Sequence, residues 1–211
     1  MTGDPHMQPL RTDRGPLYLR QADGQRPRLT LHRLDTEPST ADETLLKRCT
    51  GPVLDIGCGP GRLTQALTRR GVVTLGIDIA PCAVARTLAV GAAALRRSVF
   101  DPLPNEGDWQ TLVLADGNIG IGGDPQALLR RCVQLAAPDG VLLIEVDRRD
   151  GDERCIAWVE DTRGHRGPPF PWARVGASTV RRAADLLGLR LDDQWVSGRR
   201  RFLSLIRNRV R

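Results

Sequence analysis

Lysine is almost missing from this chain. Lys47 stands alone, and arginine supplies nearly all of the 31 basic residues behind a net charge of +6. That bias reads as codon usage in a GC-rich genome. It removes much of the weight that a pI near 9.7 would otherwise lend to nucleic-acid binding. Arg199, Arg200, Arg201, Arg207, Arg209 and Arg211 form the densest basic cluster, expected as a solvated edge and tail. Aromatic residues are scarce at 4%, a poor supply for stacking bases. No apolar run approaches the ~18 residues of a membrane span. The opening stretch MTGDPHMQPLRTDRG has no apolar segment, so no signal peptide is expected. Cys49, Cys58, Cys82, Cys132 and Cys155 are scattered, with no Cys-x-x-Cys and no Cys/His cluster. Zinc and a disulfide framework are therefore not expected, no metal site is assigned, and a cytoplasmic location fits best.

What is present is a chain of 211 residues, enough for one domain with a sizeable core. Residues 15–36 alternate apolar and polar around Ala-Asp-Gly and predict a β-hairpin, so residues 1–38 read as an extension and 39–211 as the main domain. Thr40 and Glu43 have the spacing of a capping box and predict a helix over 41–49. From Gly51 onward strands and helices alternate. Strands are predicted at 53–56, 72–77, 95–100, 111–114 and 141–146, and helices at 62–70, 81–90 and 125–136, the last capped by Asp124. Residues 148–175, rich in Arg, Gly and Pro, read as irregular. A helix capped by Ser178 and two closing strands follow. The fold class is α/β: a Rossmann-like doubly wound sheet, mostly parallel with an antiparallel edge strand.

The stretch VLDIGCGPGRL, Val53 to Leu63, places Gly57, Gly59 and Gly61 directly after a strand. Glycine there lets the backbone come close to a ligand, which in open α/β sheets sits beyond the carboxyl ends of the strands. A dinucleotide fingerprint needs glycine where Arg62 stands, and a phosphate loop needs Gly-Lys-Ser/Thr, which does not occur.

With Asp55 two residues ahead of Gly57, the stretch resembles motif I of class I S-adenosylmethionine-dependent methyltransferases. The resemblance covers about residues 40–147 and extends through the closing helix and strands. It implies S-adenosylmethionine as cofactor, held by Asp55, Gly57, Cys58, Gly59 and Gly61. Asp78, 21 residues after Gly57, would take both ribose hydroxyls, with Ile79 beside it. Phe100 and Asp101 would line the adenine pocket, and Asp116 would face the methyl donor. The chain is also similar to a small bacterial group of such enzymes that share VFDPLP, LADGNIGIGGDP, LLRRC and PFPWARVG, a likeness that assigns no substrate.

Elimination narrows the acceptor. There is no Asn/Asp-Pro-Pro-aromatic after the fourth strand of the motif region, no Pro-Cys there, no glutamate pair, and no Asp-Asn after the fifth. A small-molecule O-, N- or S-acceptor is expected, with RNA methylation and a non-catalytic binding protein as the alternatives. In-line transfer from a sulfonium needs a general base only if the acceptor must lose a proton. Asp116, Glu145 and His165 are the candidates, with Asp116 and His165 assigned as catalytic. Gly117, Gly120, Gly122 and Gly123 are expected to line the acceptor side, with Phe170 and Trp172 as walls.

Overall fold

The computed structural model describes residues 18–21, 37–160 and 164–208. In chain order its elements are β1 (Tyr18–Gln21), α1 (Thr40–Leu46), β2 (Val53–Ile56), α2 (Arg62–Arg69), β3 (Thr74–Asp78), α3 (Pro81–Ala89), β4 (Ala94–Arg96) and β5 (Trp109–Leu114). They continue with α4 (Pro125–Leu135), β6 (Ala136–Val146), β7 (Asp152–Glu160), β8 (Phe170–Val175), α5 (Ala177–Asp185), β9 (Leu189–Ser197) and β10 (Arg200–Arg207). No described helix is long and apolar enough to cross a membrane.

Seven strands form the main sheet in the order β4-β3-β2-β5-β6-β10-β9. β2, β3, β4, β5 and β6 pair in parallel, while β10 runs antiparallel to both β6 and β9. The reversed strand therefore sits one place in from the edge. Because side chains alternate along a strand, two cores form. Leu54, Ile56, Leu112, Leu114, Leu142 and Ile144 face α4 and α5, while Val53, Val113, Leu143 and Phe202 face α1 and α2. Burial on both faces explains why these strands read as continuous apolar runs.

A second sheet, β1-β7-β8, was not foreseen. Residues 148–175, read as irregular, contain β7 and β8, paired from Asp152↔Val175 to Ala157↔Phe170. Pro171 disguised β8, but β8 is an edge strand, where a missing N–H is tolerated. β1 pairs with β7, and the second strand of the expected hairpin lies outside the described residues.

Several boundaries also move. The strand expected at 95–100 ends at Arg96, and Phe100 stands in the turn beyond it. β6 leaves α4 directly at Ala136, five residues ahead of the expected start, with a register shift opposite Trp109. The capping box of α1 is Ser39 with Asp42, one residue earlier than Thr40 and Glu43. At α5 the Ser178 hydroxyl is not the cap: the residue before the helix is Gly176, and the Asp150 carboxylate accepts the Ser178 N–H at 2.9 Å.

Candidate active site

The carboxyl ends of β2, β3 and β5 lie side by side, with Asp55 level with Gly76 and Val113. At Gly57 the chain leaves β2 with φ +73°, a conformation that favours glycine. A β-carbon there would lie 2.6 Å from the Asn118 amide nitrogen. Asn118 uses that amide to donate to the carbonyls of Ile56 and Gly57, at 2.8 and 2.9 Å, clamping the turn from the loop after β5. Asp78, ending β3, accepts the N–H of Gly59 at 3.0 Å and of Ala80 at 2.8 Å. Burial pushes its carboxyl above the usual range, against those backbone hydrogen bonds. Ile79 beside it is exposed. Cys58 is buried with its sulfur against Gly76, and burial raises its thiol pKa, so it is held as a protonated apolar filler rather than a nucleophile.

Asp55 lies beneath the turn, fully buried, and accepts the Thr64 hydroxyl of α2 at 2.7 Å. Burial pushes its pKa up to about 6, above an unfolded value of 3.8, although Thr64 and Arg62 pull the other way. The native state therefore holds a proton that the unfolded state releases, and this group's contribution falls as pH rises from about 4 to about 6. Asp55→Asn removes that dependence. Relative to wild type, the variant is expected to gain roughly 2 kcal/mol between pH 4.5 and 7. Chemical denaturation at both pH values checks this, and a constant difference would contradict it.

Asp116 follows β5 with φ +53°, and its backbone N–H donates to Glu145 Oε2 at 2.6 Å. Its carboxylate is gripped by two guanidiniums: Arg62 Nη2 at 2.5 Å and Arg200 Nη2 at 3.1 Å. Arg200 also binds both oxygens of Glu145, at 2.7 and 2.6 Å, and reaches Asp42 at 2.5 Å. Arg62 forms an ion pair with Asp42 as well. Three carboxylates thus share two arginines. Only Asp116 opens substantially to solvent, at 44% side-chain exposure. Burial alone would raise Asp42, but Arg62, Ser39 and Arg200 outweigh it and hold its carboxyl far below the usual range. Burial opposes the charge on Arg200, yet Glu145, Asp116 and Asp42 raise its pKa.

Arg200 corrects the expectation of a solvated basic edge. Side-chain alternation along β10 puts it on the same face as Phe202, toward α1 and α2. Arg207 donates to the carbonyls of Val133 and Ala136, while residues 209–211 lie outside the described part. Arg62 was also missed. An arginine in the first turn of a helix opposes the macrodipole, and that was the available signal that it has a partner.

Phe100 is half-exposed and a side chain at Gly122 would strike its ring. Asp101 is exposed and accepts the Ser98 N–H at 3.1 Å. Arg131 of α4 donates to the carbonyls of Val99 and Asp101, both at 2.9 Å, fixing the turn that presents Phe100. The loop from Asp116 to Gly123 links the two sheets. A β-carbon on Gly120 would fall 2.0 Å from the Ala173 carbonyl oxygen, and Ile121 bridges to Trp172. Trp172 is buried with Phe170 edge-on to it, ring centroids 6.0 Å apart. His165, half-buried, lies in the β7–β8 connection of the second sheet. Among the described residues no group of acidic, histidine and cysteine side chains could hold a metal ion.

Residues 25–177 match the family model described as "Methyltransferase domain". The chain belongs to that family. It is 34% identical over 107 residues to a ubiquinone biosynthesis O-methyltransferase of Pseudomonas aeruginosa (strain LESB58), covering 46% of this chain and 45% of the relative. A protein of the same name from Salmonella paratyphi A is 27% identical over 113 residues, 51% of this chain and 47% of that one. The chain thus spans about half the length of the curated relatives it matches. Among solved structures, a SAM-dependent methyltransferase from Bacteroides fragilis in complex with S-adenosyl-L-homocysteine superposes with a TM-score of 0.78. That pair is 22% identical, over 94% of this chain and 90% of that one. The 1,6-didemethyltoxoflavin-N1-methyltransferase of Burkholderia thailandensis superposes at 0.58, with 16% identity over 80% and 77% of the chains. These likenesses show the Rossmann-like methyltransferase fold.

Proposed function

We propose that this protein transfers the methyl group of S-adenosylmethionine in line to an O, N or S atom of a small molecule. The observation that carries the reading is Asp78 at the end of β3, tied through the Gly59 N–H to the rim of the glycine turn that follows β2. A carboxylate there has lone pairs left for two ribose hydroxyls. In this reading Gly57, Cys58, Gly59 and Gly61 supply backbone to the donor, and Asp55 supports the turn from below. Ile79, Phe100 and Asp101 border the adenine. Support for a small acceptor comes from the relatives named as ubiquinone biosynthesis O-methyltransferases.

Asp116 is assigned to the methyl end of the donor. Each of its oxygens accepts from one guanidinium, which fixes the carboxylate in place. It acts by orienting the acceptor in line with the methyl group. His165 is then the group of the β7–β8 unit with general-base chemistry, for acceptors that must lose a proton. Asp116→Asn is expected to leave S-adenosylhomocysteine affinity within about threefold while lowering turnover by about 100-fold. The acceptor is first identified by transfer of labelled methyl groups to small molecules of a host-cell extract. Unchanged turnover in the variant would remove Asp116 from the site.

A further inference from the structure

A cavity of about 620 Å³ opens between α5 and the β9–β10 pair, apart from the glycine turn. Arg181, Arg182 and Arg201 line it, with Asp150 and Asp185. The alternation that turns Arg200 toward Asp116 turns Arg201 to the opposite face of β10, the face on which Leu203 and Leu205 meet α5. Among the described residues none of the three arginines forms an ion pair. Arg181 donates to Gln194 and Arg182 to Thr179, and the Arg181 Nε–H is buried with no acceptor. A buried donor without a partner costs free energy, which an incoming acceptor would recover.

Asp150 accepts the Ser178 N–H and its charge faces Arg201 and Arg182, so three guanidiniums stand against two carboxylates and leave the cavity with a net positive charge. We propose that this cavity binds a compact oxyanion, the phosphate or carboxylate of a small molecule. The planar forks of Arg181 and Arg201 grip it, as guanidiniums grip such groups in bidentate pairs. The oxyanion belongs either to the methyl acceptor or to a separate small molecule. The site itself does not depend on the methyl-transfer reading.

The test is calorimetric titration with inorganic pyrophosphate at constant ionic strength, beside a parallel titration with S-adenosylhomocysteine. Wild type is expected to bind one pyrophosphate per chain, and saturably. Arg181→Met and Arg201→Met are each expected to weaken that binding about tenfold or more. Arg201→Lys retains part of it, and none of these changes alters S-adenosylhomocysteine binding. Arg69→Met, at an exposed ion pair elsewhere, leaves both unchanged. Inhibition of methyl transfer that is competitive with the acceptor assigns the oxyanion to the acceptor. Binding without inhibition assigns it to a separate ligand. No saturable binding, or binding that the cavity variants leave intact, overturns the proposal.

Discussion

Asp78→Ala is expected to weaken S-adenosylhomocysteine binding by about 100-fold or more. The figure follows from two hydrogen bonds to a charged acceptor, each worth about 1.5–3 kcal/mol. The loss has a second source. Asp78 also holds the Gly59 and Ala80 N–H groups, so its removal frees the rim of the turn before any ligand arrives. Asp78→Asn separates the two effects. The amide retains an oxygen for a backbone N–H but cannot accept from two hydroxyls and two backbone groups as a carboxylate does. Its affinity is expected to fall between wild type and the alanine variant. Calorimetric titration of the three proteins checks the order, and equal affinity in wild type and Asp78→Ala would exclude Asp78 from the donor site.

Arg200→Met is expected to be the most destabilising change in the cluster. Removing one partner of a buried ion pair leaves charge uncompensated, at about 3–5 kcal/mol. In a domain of this size that lowers Tm by roughly 10 °C. Arg200 sits between Asp42, Asp116 and Glu145, so its loss leaves three carboxylates facing Arg62 alone. Arg200→Lys preserves the charge without the fork and is expected to recover part of the loss. The pH dependence has a definite sign. Asp42 is held below its ordinary value, so its contribution is present above about pH 4 and is lost as pH falls. The gap between wild type and Arg200→Met should therefore narrow on acidification. A Tm change of a degree or two, equal at all pH values, would mean that the cluster contributes little.

The strand ends were legible because burial on both faces leaves continuous apolar runs and because Asp55, Asp78 and Asp116 fall near the end of one run each. The glycine turn was legible from spacing alone. The second sheet was hidden because β7 and β8 mix charged residues, Trp158, Trp172 and Pro171 without clean alternation, and pairing across the 161–169 connection is not a local signal. Arg200 was hidden by its setting, one arginine among Arg199, Arg200 and Arg201. Composition suggested a solvated edge, and only the direction of β10 and its place beside β6 separate Arg200, facing Asp116, from Arg201, facing α5. Asn118 stood in plain view in Ala-Asp-Gly-Asn. Its clamp on Ile56 and Gly57 depends on β5 lying next to β2, an adjacency of sheet order rather than of sequence.

The central claim is that the glycine turn and Asp78 form a donor site for S-adenosylmethionine. Calorimetric titration of the purified wild-type chain with S-adenosylhomocysteine, and separately with NADH, tests it most directly. The account predicts one S-adenosylhomocysteine bound per chain, with a rise in Tm at ligand excess as mass action requires, and no binding of NADH. Saturable binding of NADH with none of S-adenosylhomocysteine would contradict it.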